Sequence, residues 1–444
     1  MKKKILIIAC AVLALCLVTA AVALICTRGP LSIYNANGEL MVSLDTATVS
    51  DPSAWPAESR AYIDIAVTEA ATILSQKKNI SLEQAKKQLA TGGYRLYTAY
   101  RPDLQAALSD AYAPYAENHL EMGAAITDLQ GRLLAAFTSH PDKNFATAQT
   151  PPYSSFKPLS VYAPALELGK INFSTTFPDA PVTEVKGKPW PSNATRGYQN
   201  EPVPVAYAVQ KSLNTVAVRC IDAVGLTNSF AFLDNFDIDL TGEKNRAESL
   251  GETDVRGNIA LGYLDYGVTP VQMAGYYQIF GNGGNYQKPH PVLSLEGPFS
   301  IIYTYRHAPR QVLSAQNAGI MNQLLQNVVT PGGTAKAAFD PKCPTAGKTG
   351  TGENGNWFVG VTPSYSCAVW HGNQLDKNTA AEIFSAVRAG YPEETAQFPE
   401  PDGLTQLIFC TESGNLATKN CPHTGIGTYP SDKELPPCDT HVTP

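Results

Sequence analysis

The chain contains, at residues 151–158, the stretch Pro151-Pro152-Tyr153-Ser154-Ser155-Phe156-Lys157-Pro158. Cleaving an amide at neutral pH requires a nucleophile, a group that takes its proton, and donors for the developing oxyanion. If this stretch opens a helix, residues three apart share a face, so Lys157 lies over the Ser154 hydroxyl. A lysine removed from water can lose its proton near pH 7 and act as a base. A capping serine followed by a solvated lysine gives the same pattern, so this stretch alone does not predict an enzyme.

Two further motifs follow it in the chain. Ser212-Leu213-Asn214 begins 58 positions after Ser154, in an otherwise helical stretch. Lys348-Thr349-Gly350-Thr351 begins 136 positions after Ser212 and enters a predicted strand. Each has an ordinary alternative, a capping serine for the first and an exposed strand start for the second. Together, in this order, the three motifs form the serine–lysine set of β-lactamases and penicillin-binding proteins.

The chain resembles the transpeptidase region of class A penicillin-binding proteins over about residues 55 to 441. Tyr153 stands where the family usually has glycine in G-S-S-F-K-P. The match extends to other segments, which are Trp190-Pro191-Ser192-Asn193, Ser212 to Arg219, Ala260-Leu261-Gly262, Val268-Thr269-Pro270, Asn282-Gly283-Gly284 and Trp357-Phe358-Val359-Gly360.

The resemblance implies a role for each motif residue. Ser154 attacks the D-Ala–D-Ala bond and carries the acyl group, with Lys157 as general base. Ser212 relays a proton to the departing amine, and Asn214 orients Lys157 and the substrate. The terminal carboxylate is bound by Lys348, Thr349, Gly350 and Thr351, and the backbone N–H groups of Ser154 and Thr351 form the oxyanion hole. Which lysine or serine takes the first proton is left open. No cofactor or metal is expected.

Strand patterns near both ends of a long helical stretch predict the fold. Residues 124–127, 132–137, 347–351, 357–362 and 367–372 look like strands, whereas 155–340 look mainly helical. Short links between the later strands favour antiparallel neighbours. We predict an α+β domain with an antiparallel sheet, flanking helices and a mainly helical subdomain. The predicted regions are an anchor (1–27), a juxtamembrane and linker region (28–120), the catalytic domain (121–392) and a cysteine-containing tail (393–444).

The N-terminus predicts attachment to a membrane. Three lysines precede an uncharged apolar run of 22 residues, Ile5–Cys26, and about 20 helical residues cross a bilayer. The lysines place the N-terminus in the cytoplasm and the rest outside. A cleaved signal peptide, with its shorter apolar core of about 7–15 residues, is the less favoured alternative. The net charge of −6 does not suggest a nucleic-acid partner.

The sequence departs from the resembled family in two places. The glutamate motif of the glycosyltransferase domain, E-D-x-x-F-x-x-H, does not occur in these residues, so we expect no glycan polymerisation and a separate glycosyltransferase as a possible partner. Pro164 lies within the helix expected after Ser154, and we expect it to bend that helix, because an interior proline costs about 3 kcal/mol.

The tail contains residue types that bind metals, namely Cys410, Cys421, His423, Cys438 and His441. Their spacings match no common zinc template, so a disulfide or free thiols are favoured over a metal site. Six cysteines follow the apolar segment, and their pairing cannot be deduced from sequence.

Three other functions fit the same motifs less well. A class A β-lactamase needs a glutamate for the deacylating water, and no E-x-x-L-N segment occurs between Ser212 and Lys348. A D,D-carboxypeptidase, in which water replaces the acceptor amine, stays open. A non-catalytic β-lactam sensor or scaffold is disfavoured because all three motifs are intact. The leading prediction is a D,D-transpeptidase acting on peptidoglycan stem peptides and acylated by β-lactams.

Overall fold

The computed structural model of the chain describes residues 12, 13, 16, 29–118, 120–194, 197–391 and 397–441, apart from the side chains of 117, 118, 250 and 252–254. These residues form two compact units. One unit joins Met1–Pro102 to His290–Arg306, and the other joins Asp103–Pro289 to His307–Pro444.

The predicted anchor, 1–27, lies almost wholly outside the described residues, so the membrane span stays a prediction. Within the described part of the chain, no single helix has both the length and the apolar character to cross a bilayer. The helices Asn214–Val224 and Leu226–Leu233 meet that criterion only together, as a pair bent by 90°.

The helices and strands are numbered in chain order over the described residues. The helices are α1 Arg60–Lys78, α2 Leu82–Thr91, α3 Pro102–Tyr112, α4 Ala163–Glu167, α5 Val205–Lys211, α6 Asn214–Val224, α7 Leu226–Leu233, α8 Thr241–Leu250, α9 Glu252–Leu261, α10 Pro270–Tyr277, α11 Ala315–Val329 and α12 Thr379–Gly390. The strands are β1 Leu31–Tyr34, β2 Leu40–Leu44, β3 Arg95–Thr98, β4 Met122–Asp128, β5 Leu133–Thr138, β6 Thr176–Pro178, β7 Thr183–Val185, β8 Lys188–Trp190, β9 Pro202–Pro204, β10 Asn285–Tyr286, β11 Val292–Glu296, β12 Ile301–Thr304, β13 Arg310–Gln311, β14 Ala346–Gly352, β15 Gly355–Val361, β16 Tyr365–His371, β17 Leu404–Cys410 and β18 Thr424–Pro430.

The first unit is a five-stranded sheet in the order β12-β11-β3-β1-β2. A turn at residues 35–38 links β1 to β2, and the Asn35 side chain accepts bonds from the backbone N–H groups of Asn37 and Glu39. Helix α2 begins directly after Ser81. Ser81 and Gln84 form a reciprocal capping box with bonds of 3.0 and 3.2 Å.

The second unit contains the predicted antiparallel sheet, in the order β14-β15-β16-β4-β5. Strands from both ends of the unit meet in it, since Ala368 of β16 pairs with Ala125 of β4. Every residue of β15 and β16 is buried, which indicates a sheet covered on both faces. Helices α10 and α12 pack against it. The α+β prediction is therefore confirmed.

The stretch 155–340 is less uniformly helical than predicted. It also contains the short strands β6 to β13, and the hairpin β11–β12 belongs to the first unit. Leu295 of β11 pairs with Leu96 of β3, and both are fully buried. Residues His290–Arg306 therefore belong to the core of the first unit, although their numbers fall within the predicted region 121–392. The tail hairpin β17–β18 belongs to the second unit.

Candidate active site

The S-x-x-K motif lies on a tight turn rather than at the start of a regular α-helix. Residues Tyr153–Phe156 form one 3₁₀ turn, and Lys157 follows at its end. In 3₁₀ geometry residues i and i+3 eclipse one another, and the Lys157 N–H bonds the Ser154 carbonyl, so the two residues lie on one side of this turn. Ser154 is half-buried and Lys157 is fully buried.

Pro164 explains why the helix after this turn is irregular. Pro158–Tyr162 form a π-helical turn, and α4 begins only at Ala163. Pro164 therefore lies in the first turn of α4, where its missing N–H costs little, instead of bending a continuous helix as expected. In a regular helix the Ser160 carbonyl would accept from an N–H at position 164, which proline lacks. That carbonyl instead accepts a 2.7 Å bond from the Ser229 hydroxyl.

Tyr153 adopts the left-handed conformation, with φ of +49°. A non-glycine residue is uncommon there, which explains why the resembled family usually has glycine. Three contacts hold it in place. Its N–H donates to Gly262 O at 3.0 Å, its hydroxyl accepts from the Asn354 N–H at 2.9 Å, and its ring meets that of Tyr263 at 5.3 Å between centroids. These contacts with Gly262, Asn354 and Tyr263 hold the backbone that precedes Ser154 in place.

The Lys157 ammonium group points at the S-x-N motif. Its Nζ atom lies 2.6 Å from Asn214 Oδ1, 2.9 Å from the Ser212 carbonyl and 3.4 Å from the Leu213 carbonyl. All three acceptors come from that one motif. The first two predicted motifs are therefore joined directly.

Ser212 connects the S-x-N motif to the third motif. It lies in the left-handed conformation, with φ of +60°. Its hydroxyl accepts a 2.8 Å bond from Lys348 Nζ, while its carbonyl accepts from Lys157 Nζ. Lys348 Nζ also donates to the Thr349 carbonyl at 3.1 Å. One serine thus contacts both motif lysines.

The K-T-G strand lies directly against the nucleophile turn. A side-chain carbon added at Gly350 would lie 2.3 Å from the Pro152 carbonyl oxygen, so only glycine allows this approach. Strand β14 is the edge of its sheet, with β15 as its sheet neighbour. Thr351 is exposed, and the Thr349 hydroxyl lies 2.9 Å from that of Thr334.

Both motif lysines have pKa values below the ordinary lysine range. Burial lowers the pKa of Lys157 well below 10.5, and the nearby positive charge of Lys348 lowers it further. Burial lowers the pKa of Lys348 to about 7. At neutral pH the cleft can therefore hold an uncharged amine able to take a proton.

A buried network behind the S-x-N motif was not predicted. Asp179 accepts bonds from Asn193 Nδ2 at 2.7 Å and from the Thr215 hydroxyl at 2.6 Å. Asn193 Oδ1 in turn accepts from the Asn214 N–H at 2.8 Å. The W-P-S-N segment contained Asn193, but nothing in the local sequence indicated that Asp179 would be buried. Thr334 was missed as well.

A family model described as the penicillin-binding protein transpeptidase domain matches residues 106–388. The chain belongs to this family. The resemblance seen in the motifs is thereby confirmed, and Ser154, Lys157, Ser212, Asn214 and Lys348 all lie within the matched range.

Curated relatives of this chain include larger class A penicillin-binding proteins. Penicillin-binding protein 1A of Clostridium acetobutylicum is 28% identical over 368 residues, covering 73% of this chain and 44% of that protein. Penicillin-binding protein 1A/1B of Bacillus subtilis is 30% identical over 324 residues, covering 66% of this chain and 33% of that protein. The chain therefore spans less than half the length of these relatives.

Solved penicillin-binding proteins have the same fold. PonA1 of Mycobacterium tuberculosis is 20% identical with a TM-score of 0.64, and the match covers 87% of this chain and 99% of that one. A second PonA1 structure, in complex with penicillin V, is 21% identical with a TM-score of 0.63, covering 77% and 96%. The D,D-transpeptidase domain of a peptidoglycan glycosyltransferase from Eggerthella lenta is 19% identical with a TM-score of 0.60, covering 82% and 97%.

Proposed function

We propose that this chain is a serine D,D-transpeptidase that cross-links peptidoglycan stem peptides through an acyl-enzyme on Ser154. The contact of Ser212 with both Lys157 and Lys348 carries the proposal, because it joins three motifs that lie far apart in the sequence. The geometry supplies a serine beside a buried lysine, together with a second lysine that can bind an anion.

Acylation begins with loss of the Ser154 proton. Lys157 is buried and has a lowered pKa, so its neutral amine takes the proton as Ser154 Oγ attacks the carbonyl of the penultimate D-alanine. The backbone N–H groups of Ser154 and Thr351 stabilise the oxyanion. Thr351 is exposed and lies on the edge strand β14, where backbone groups on one side have no further strand to pair with.

The C–N bond then breaks, and the departing D-alanine amine takes a proton from the Ser212 hydroxyl, which protonated Lys157 replaces, leaving Lys157 neutral again. Lys348 supports that hydroxyl at 2.8 Å. An acceptor amine next attacks the acyl-enzyme and loses a proton to Lys157. The new amide forms as the Ser154 C–O bond breaks, and Lys157 returns the proton to Ser154 Oγ. Asn214 holds Lys157 in position throughout, through its 2.6 Å contact.

The substrate's terminal carboxylate is bound by Lys348, Thr349 and Thr351. A carboxylate favours the charged lysine, and threonine hydroxyls can donate to its oxygens. The bare backbone at Gly350 allows the peptide to lie along β14 as an added strand. A β-lactam presents a similar carboxylate and acyl group, and penicillin V occupies a solved neighbour of this fold, which supports β-lactams as ligands.

The proposal places the catalytic domain outside the cytoplasm, on a membrane anchor formed by the N-terminal apolar run. Peptidoglycan cross-linking occurs on that side, and the relatives are class A penicillin-binding proteins. A separate glycosyltransferase would supply the glycan strands, since E-D-x-x-F-x-x-H does not occur in these residues. No nucleic acid takes part.

The decisive experiment uses the full chain in detergent. Fluorescent penicillin should label the wild type, label Ser155→Ala, and fail to label Ser154→Ala. Ser155 is the matched control because its hydroxyl is tied to the Pro152 carbonyl at 2.6 Å. Equal labelling of Ser154→Ala would overturn the assignment.

A second assay separates the possible reactions. A pentapeptide ending in D-Ala–D-Ala, given with an amine acceptor, should yield a cross-linked product. Release of D-alanine without that product would mean a carboxypeptidase. Rapid release of the drug from the adduct would mean a lactamase, and a stable adduct without either peptide reaction would mean a sensor.

A further inference from the structure

The C-terminal tail gathers three cysteines and one histidine at a single point. Ligand atoms of Cys410, Cys421, Cys438 and His441 all lie within 4.8 Å of one another. Histidine Nδ1 lies 3.4 Å from the sulfur of Cys410 and 3.4 Å from that of Cys438. His423, the other tail histidine, is outside the group. We call these four residues the tail Cys₃His cluster. None of them belongs to the three motifs of the proposed acyl-transfer site.

We propose that the tail Cys₃His cluster is a structural zinc site. Zinc in structural sites is tetrahedral, with Zn–S bonds of about 2.3 Å and Zn–N bonds of about 2.0–2.1 Å. Those bond lengths put two sulfurs about 3.8 Å apart and a sulfur about 3.5 Å from a nitrogen. The cluster's spacings agree with that geometry. Thiolates and imidazole also exclude calcium and magnesium, which take oxygen ligands.

The groups around the ligands are those that a zinc site uses. His441 Nε2 lies 3.0 Å from a Glu412 carboxylate oxygen, so the nitrogen facing the sulfurs is fixed by a carboxylate on the other side, as in carboxylate–histidine–zinc arrangements. The Thr418 N–H donates to the Cys421 sulfur at 3.2 Å, and the Ser413 hydroxyl donates to the Cys438 sulfur at 3.3 Å.

A disulfide accounts for fewer of these features. It would join two sulfurs, leaving a third cysteine and the oriented His441–Glu412 pair without a role. None of Cys410, Cys421 and Cys438 is joined in a disulfide in this structure. Cys410 and Cys438 are almost fully buried. Four protein ligands also close the coordination shell, which is typical of a structural and not a catalytic zinc site.

The chain path shows what the metal would hold together. Cys410 ends β17, Cys421 precedes β18, and Cys438 and His441 belong to the last described segment. The Cys438 N–H bonds the Leu416 carbonyl at 2.8 Å, and Leu416 in turn bonds the Pro436 carbonyl at 2.9 Å. Zinc would therefore fasten the end of the chain to the β17–β18 hairpin. That hairpin packs against the rest of the second unit, where the Ser174 hydroxyl donates to Gly414 O at 2.5 Å.

The test measures metal content and needs no assay of activity. The full chain is purified in detergent without chelator or added thiol, and its zinc is measured by plasma mass spectrometry. We expect about one zinc per chain, as in other Cys₃His sites. His441→Ala and Cys421→Ser should lose most of it. The matched controls His423→Ala and Cys343→Ser, which change the same residue types outside the cluster, should keep it.

A second measurement uses only the wild-type protein, so it tests the proposal even when a variant fails to fold. Wild-type protein stripped by a chelator is titrated with Co²⁺, and a sulfur-to-cobalt absorption band that zinc displaces would support the site. Zinc binding should also raise the thermal midpoint of the stripped protein. Absence of both zinc and cobalt binding would overturn the proposal. So would an intact mass lower by two hydrogens with alkylation-resistant tail cysteines, because that would identify a disulfide.

Discussion

The Thr215 hydroxyl donates a 2.6 Å hydrogen bond to Asp179, which lies 36 positions earlier in the chain. Asp179 is buried, and Asn193 connects it to the N–H of Asn214, whose side chain contacts Lys157. The carboxylate therefore supports Lys157, the proposed base, through two intervening residues, Asn193 and Asn214. The sequence did not reveal this support behind the S-x-N motif.

Replacing Asp179 by alanine should destabilise the protein and slow acylation together. The change removes the acceptor of the Thr215 hydroxyl, the Asn193 amide and the Gln199 N–H. Thr215 and Asn193 are buried, and the loss of a partner for a buried donor costs about 1–3 kcal/mol each. We expect a lower urea midpoint and a reduced rate of penicillin labelling. Glu201→Ala, an exposed acid nearby, is the control and should change neither. An unchanged labelling rate in Asp179→Ala would contradict the positioning role.

Removing the Ser212 hydroxyl should slow acylation by about 10²–10⁴-fold, the usual contribution of a proton-transfer group. Two variants separate chemistry from backbone strain. Ser212→Ala keeps a side chain in the left-handed conformation, while Ser212→Gly adopts φ of +60° without strain. Both lose the bond from Lys348, so both should label slowly in stopped-flow measurements. Near wild-type labelling of Ser212→Gly would show that the hydroxyl is not needed.

Folding stability should rise with pH above neutrality because of Lys348. Its pKa is about 7 in the folded protein and about 10.5 when exposed, so the unfolded chain binds more protons between these values. Stability then increases with pH across that interval, by up to about 1.4 kcal/mol per pH unit. Urea unfolding at pH 7 and pH 9 should differ by about 2 kcal/mol from this group.

The Lys348→Met variant isolates this contribution from other titrating groups. It keeps an unbranched side chain of similar length but cannot be protonated. The difference between pH 7 and pH 9 should be smaller in this variant than in the wild type by the amount attributed to Lys348. Parallel pH profiles for the two proteins would mean that the lysine titrates outside this range.

Gly262→Ala should displace the nucleophile. The added carbon would lie 2.0 Å from the Tyr153 carbonyl oxygen, at a residue with φ of +75°. We expect a loss of stability above the roughly 1 kcal/mol of left-handed strain alone, and strongly reduced penicillin labelling. Gly251→Ala is the matched control, since its φ is +90° and no atom of the described residues is found within 4 Å of the added carbon. Full labelling of Gly262→Ala would refute the idea that Gly262 sets the position of Ser154.

The three motifs could be predicted from sequence because each carries its chemistry in three or four adjacent residues. Their convergence follows from the family resemblance, and the sheet followed from short strand-like segments near both ends of a long helical stretch. The 3₁₀ turn at Tyr153–Phe156 and the π turn at Pro158–Tyr162 were not predicted. In the π turn the Ser160 carbonyl is paired with the hydroxyl of Ser229, 69 positions away, which local sequence does not reveal. Spacing alone likewise missed the tail Cys₃His cluster, because the β17–β18 hairpin and the last turn bring its ligands together.

The amines of Lys157 and Lys348 are both buried in one cleft, and keeping both of them charged there is costly. Without ligand, the site therefore holds fewer protons than two lysines would in water. A negatively charged ligand removes that restriction, because its carboxylate compensates the second charge. Occupancy and protonation are consequently linked. Anions should be captured with uptake of a proton from the buffer, and more weakly as the medium becomes alkaline.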